Sequence, residues 1–108
     1  MANTFKLKTK ANVGVTTSNV YAVPSATTTV VIGVTLANTS GSSINVGVGV
    51  TRASSDDVKL MKNVPIPQGS SFEFMAGNKI VLETTDTITA KSDVASSLDV
   101  ALTIMEIT

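Results

Sequence analysis

The sequence contains no cysteine and no histidine, and its aromatic residues amount to 4% of the chain. The missing cysteine rules out a disulfide framework and thiol chemistry, and it fits a reducing compartment. The missing histidine excludes Ser-His-Asp and Cys-His nucleophile systems and any imidazole metal site. Charge is sparse at 15%, and the formal net charge is zero. A neutral surface cannot neutralise a row of phosphates, so no nucleic-acid partner is expected. No apolar run approaches the roughly 18 residues that a membrane-spanning helix needs, and the first residues carry no secretory h-region. No membrane partner is expected either, and the chain reads as a product of cytoplasmic synthesis.

What is present is a strand grammar. Hydrophobic residues make up 43% of 108 positions, and with so few aromatics the core must be built from Val, Ile and Leu, which suit a pleated surface. Ser and Thr supply roughly a quarter of the chain, well above ordinary usage. The length predicts one domain, residues 1–108. Val30, Ile32, Val34 and Leu36 alternate with smaller or polar residues, as do Ile44, Val46, Val48 and Val50. A period of two marks strands with one buried face.

Strands are expected near Thr4 to Lys8, Asn19 to Val23, Thr28 to Ala37, Ile44 to Arg52, Val58 to Asn63, Ser71 to Met75, Lys79 to Glu83, Thr87 to Lys91 and Leu98 to Ile107. Pro24-Ser25, Gly41-Ser42, Pro67-Gln68-Gly69, Gly77-Asn78 and similar clusters break them. Further core candidates are Val58 with Leu60, Phe72 with Phe74, Ile80 with Leu82, Ile88 with Ala90, and Leu98, Val100, Leu102 and Ile104. About eight short antiparallel strands of this kind close as an all-β sandwich, either a jelly roll or an immunoglobulin-like one.

Asn38 to Ser43 is a run of turn formers, so the third and fourth strands are expected to form a hairpin. Pairing Ile44 with Asn38 sets Val48 opposite Val34 on the inner face. On the outer face it sets Gly49 opposite Gly33 and Gly47 opposite Thr35. Gly33, Thr35, Gly47 and Gly49 would then floor a smooth strip able to receive a neighbouring chain. The alternative is that these glycines serve twist or a bulge. The last strand is apolar on its second face too, through Ala101, Met105 and Ile107. It is either a central strand under a loop or a strand whose outer face, with Met105 and Ile107, meets another subunit.

Chemistry-bearing residues are few. Asp56 and Asp57 sit in a Ser-rich turn and read as solvated, with no calcium-loop spacing around them. Asn38-Thr39-Ser40 matches the glycosylation sequon but reads as turn chemistry. Lys6, Lys8 and Lys10 alternate on the first strand and read as edge protection. No catalytic residue, metal ligand or cofactor site is assigned.

The segments Thr16-Thr17-Ser18-Asn19-Val20-Tyr21-Ala22-Val23-Pro24 and Val31-Ile32-Gly33-Val34-Thr35-Leu36-Ala37-Asn38-Thr39 resemble the small all-β virion structural proteins of tailed bacteriophages, notably marine and cyanobacterial ones. Val64-Pro65-Ile66-Pro67-Gln68-Gly69-Ser70-Ser71, Lys79-Ile80-Val81-Leu82-Glu83, Asp86-Thr87-Ile88 and Leu98-Asp99-Val100 extend the likeness over most of the chain. The resemblance implies a non-enzymatic virion component whose partners are copies of itself or the major capsid or tail proteins. It suits a capsid decoration or cement protein, with a tail, neck or fibre part touching the host surface as the alternative.

Overall fold

The computed structural model describes residues 2–52, 56–73 and 79–108. It contains nine strands and, among the described residues, no helix: β1 (Asn3–Val13), β2 (Ser18–Ala22), β3 (Thr28–Asn38), β4 (Ile44–Thr51), β5 (Asp57–Ile66), β6 (Ser71–Glu73), β7 (Ile80–Leu82), β8 (Thr87–Ser92) and β9 (Leu98–Ile107). Each expected strand is present. β1 and β5 run longer than their turn signals suggest, and Phe74 with Met75 lies outside the described residues.

Two antiparallel sheets result. The first has the order β1-β9-β3, with β6 and β7 both paired to the free side of β3, and the second has the order β2-β8-β4-β5. Taking β6 and β7 as one interrupted strand, the pairs β1·β9, β2·β8, β3·β6/β7 and β4·β5 nest one inside the next. That order is a jelly roll, and it settles the choice against the immunoglobulin arrangement.

The expected β3–β4 hairpin does not form. β3 pairs with β9, β6 and β7, whereas β4 pairs with β5 and β8. The loop between them crosses from one sheet to the other, so the two apolar rows meet face to face instead of side by side. Asn38 ties this crossing down. Its amide donates to the carbonyls of Ser42, Ile66 and Pro67, while its Oδ1 accepts from the Ser40 N–H and hydroxyl. At 3% exposure this asparagine is a structural turn residue, as its sequence context suggested.

The expected alternation of β3 is also broken. β3 carries a bulge between Val31 and Gly33, and one extra residue moves every side chain before it to the other face. Thr29, Val31, Val34 and Leu36 therefore point inward, while Val30 and Ile32 are only half-buried on the outer side. Among the other core candidates, Ile88, Ala90, Leu82 and the row from Leu98 to Ile104 are buried. Val58 and Phe72 stand opposite inward residues, Val50 and Leu36, yet remain 45% and 39% exposed. They lie on the edge strands β5 and β6, where a neighbour covers one flank only. Leu60 and Ile80 are half-buried. Val13, Tyr21, Val23, Met61 and Ile66 complete the core.

Gly33 and Gly49 have different reasons to be glycine. Gly49 sits opposite the bulged stretch of β5, and a Cβ there would stand 2.8 Å from the Val58 carbonyl oxygen. At Gly33 the nearest obstacle is the movable Glu73 carboxylate at 3.3 Å. The strain and the space decide two expected outcomes in urea denaturation. Gly49→Ala should lose about 1–3 kcal/mol by overpacking against backbone, while Gly33→Ala should change stability by no more than about 0.5 kcal/mol. Leu102→Ala, in the fully buried middle of β9, should lose about 2–5 kcal/mol; an unchanged midpoint would contradict the inward assignment of that row.

Candidate functional site on the outer face of the five-stranded sheet

The uninterrupted alternation of β9 decides what the outer face carries. With Leu98, Val100, Leu102 and Ile104 turned in, Asp99, Ala101, Thr103, Met105 and Ile107 turn out. The ladder sets Phe5 of β1 beside Met105, Met105 beside Val30 of β3, and Val30 beside Val81 of β7. Four apolar side chains thus form a row across four strands, flanked by Leu7, Ile32 and Ile107. Phe5, Leu7 and Val81 are 69%, 66% and 61% exposed. Scattered surface hydrophobics are ordinary; a contiguous row of them marks a contact surface.

Towards the other end of the same face the side chains shrink. Thr9, Ala101, Thr35 and Ala37 line a shallow hollow of about 210 Å3, bordered by Asp99 and Lys10. Glu73 lies across this region: the Thr35 hydroxyl donates to its Oε1 at 2.8 Å, and its other oxygen rests over Gly33. The Asp99 carboxylate accepts the Asn12 N–H at 3.0 Å. The face therefore combines an apolar row, a hollow and two carboxylates.

The six residues proposed from sequence are divided by this arrangement. Gly33, Thr35, Met105 and Ile107 share the outer face of the first sheet. Gly47 and Gly49 lie on the outer face of the second, so the continuous four-residue strip does not exist. Its failure follows from the missing hairpin. The bulge reading holds for Gly47 and Gly49, which face the register shifts of β5. Sequence reasoning missed Phe5, Leu7, Val30, Ile32 and Val81. Phe5 and Leu7 were detectable, because they alternate with Lys6, Lys8 and Lys10 on one strand.

Those lysines occupy the inward row of β1, the edge of its sheet, where charges on the inner side oppose edge-to-edge pairing. Lys6 Nζ lies 2.8 Å from Glu106 Oε1, and Lys8 Nζ stands 5.9 Å from the centre of the Tyr21 ring. Glu106 is the last inward residue of β9 and is 5% exposed. It accepts from the Tyr21 hydroxyl at 2.5 Å, which in turn contacts the Thr29 hydroxyl at 2.8 Å. Hydrogen bonds from Lys6 and Tyr21 hold the Glu106 carboxyl below its ordinary range, while burial and the Glu106 contact push the Tyr21 phenol up to about 12. Neither group changes protonation near neutrality, so the cluster is poorly matched to general acid–base work. It closes one end of the sandwich. Elsewhere Asp86 is paired with Arg52, and no group of three acidic, His or Cys side chains able to hold a metal occurs among the described residues.

No family model and no curated protein matches the sequence. Among solved structures the chain is similar to one from the disulfide-linked pili of Bacillus endospore appendages, with a TM-score of 0.60 and 13% identity, covering 99% of this chain and 87% of that one. It also matches a chain of the infectious bursal disease virus Gx strain, with a TM-score of 0.47 and 10% identity, over 95% of this chain and 37% of that one. The first likeness is one of fold, and the second is too low to bear argument.

The buried cluster has a two-sided pH signature. Glu106 binds its proton more weakly when folded, so it stabilises the fold above its unfolded pKa, and that contribution is lost as pH falls through the lowered folded value. Tyr21 holds its proton more tightly when folded, so its contribution is complete below about pH 10 and disappears as pH rises towards 12. Glu106→Gln should lower the thermal midpoint at neutral pH and flatten the acid limb of the profile. Tyr21→Phe should cost about 1–3 kcal/mol, because it strips a partner from a buried carboxylate. Parallel acid limbs in the parent and Glu106→Gln would show that Glu106 carries none of this dependence.

Proposed function

We propose that this protein is a structural subunit of a larger particle, assembled through the outer face of its five-stranded sheet. The observation that carries the reading is the row Phe5, Met105, Val30 and Val81, an apolar surface left open to solvent across four strands. Burying such a row drives association in the same way as burying a core drives folding. The fold shared with a pilus structure supports the reading at the level of architecture. The sequence resemblance to phage virion proteins supports a virion part; a capsid decoration or cement protein is the form proposed, with a tail, neck or fibre part as the alternative. Lectin-type contact with a host surface is disfavoured, because Tyr21 is buried and Phe5 is the only aromatic among the described residues of this face.

Two measurements test this. Phe5→Ser combined with Leu7→Ser should abolish self-association or capsid docking in sedimentation while shifting the melting temperature little, since both side chains are already solvated. Assembly unaltered in this variant would overturn the role of the face. Quantitative mass spectrometry of purified particles should find the protein in numbers comparable to the shell protein, because a decorator repeats with the lattice. Tail-level abundance would instead favour a neck or fibre part, and absence from particles would overturn the virion assignment.

A further inference from the structure

The opposite face of the sandwich carries a second surface of different chemistry. A groove of about 200 Å3 follows β4 from Asn45 to Gly49. Gly47 and Gly49 floor it, Lys59 and Lys62 rise from the bulged β5 on one side, and Lys91 rises from β8 on the other. None of these three lysines has a carboxylate within ion-pair distance among the described residues. Asp93, at one end of the groove, already accepts the Asn45 N–H at 3.0 Å.

We infer that this groove receives the outer face of the five-stranded sheet of a second copy, so that copies stack head to tail, each sheet against the opposite sheet of its neighbour. The inference rests on the assembly reading above and names the partner surface. Charge selects it. The apolar face presents the carboxylates Glu73 and Asp99 with Lys10 at the margin of its hollow, whereas the groove presents three ammonium groups, unpaired among the described residues, with Asp93 at its end. A two-fold contact of the apolar face with itself would instead bring four carboxylates together.

Area permits the contact. Three strands of about ten residues, with the short β6 and β7 beside them and a spacing of about 4.8 Å, offer roughly 550 Å2 per copy, and the resulting total of about 1,100 Å2 clears the roughly 1,000 Å2 expected of a specific interface. The sheet edges offer no competing route. β1 turns lysines inward, β5 carries two bulges and Pro65, β2 is five residues long and bulged, and β6 and β7 are three residues each.

A heterologous contact leaves one unused face at each end of a pair, so growth continues as an open series or closes as a ring. Sedimentation velocity on the full chain, over a range of concentration and salt, is the test. The parent should form species larger than dimers that recede at high salt. Lys59→Glu with Lys91→Glu should remain monomeric, and so should Glu73→Lys with Asp99→Lys, with circular dichroism spectra like the parent's. Mixing the two variants restores opposite charge at both contacts and should restore the series. Growth that stops at dimers, or assembly that persists in the lysine variant, would overturn the inference. If Phe5→Ser with Leu7→Ser dissociates particles that the lysine variant still forms, head-to-tail stacking falls while the assembly reading stands. A parent that stays monomeric at every concentration and fails to dock on capsids sinks both.

Discussion

The strict alternation of β9 is the constraint on which the remaining structure depends. It is flanked on both sides, by β1 and β3, and its partners bulge while its own rhythm is kept. Its inner row, Leu98 to Ile104, faces the valines of β4 and Ile88 and Ala90 of β8 from across the sandwich, and these side chains form the bulk of the core. Its outer row leaves Ala101, Met105 and Ile107 on the surface. A strand that is apolar on both faces cannot satisfy both within two layers. Internal cover goes to one face, and the other lies at the surface among the described residues.

The edges and the faces of the sandwich are treated oppositely. Inward lysines, bulges, a proline and very short strands make each sheet edge a poor template for strand pairing. The two outer faces are continuous and chemically distinct, one apolar with carboxylates and the other a glycine-floored groove with lysines. In a chain with zero net charge, Glu73 and Asp99 thus lie on one face and Lys59, Lys62 and Lys91 on the other. Lys6 and Arg52, the cations paired with carboxylates, serve internal contacts, whereas the groove lysines are unpaired among the described residues.

Local features were legible in the sequence because they are governed by local physics. All nine strands, the inward row of β9, the turn role of Asn38 and the edge role of the β1 lysines follow from period, turn chemistry and charge placement. What failed was long-range. The Asn38–Ser43 run looks like a hairpin turn, but in a nested topology the strands that pair are mostly distant in sequence, and only β4 and β5 are neighbours in both senses. The β3 bulge was equally hidden. Val30, Val31 and Ile32 are interchangeable in polarity, so no alternation marks where the parity changes, and the ladder with β9 decides it. The candidate surface was half visible: Met105 and Ile107 announce it, while Val30 and Val81 join only once β3 and β7 are brought beside β9.

The lack of cysteine sets the character of any assembly this sandwich makes. The pilus structure that shares its fold is linked by disulfides, and this chain has no residue that can form one. Each contact must therefore be held without covalent links, by apolar burial, hydrogen bonds and exposed charge pairs, and the last weaken in salt. An interface near the lower size bound is individually reversible. Its persistence in a particle comes from repetition, because a subunit engaged on two faces must release both contacts to leave, and the second is effectively intramolecular while the first holds. Whether such contacts close into a ring or run on as a filament is decided by the rotation between successive copies; in the stacking proposed above, the angle between the hollow beside Ala101 and the groove along β4 would set that rotation.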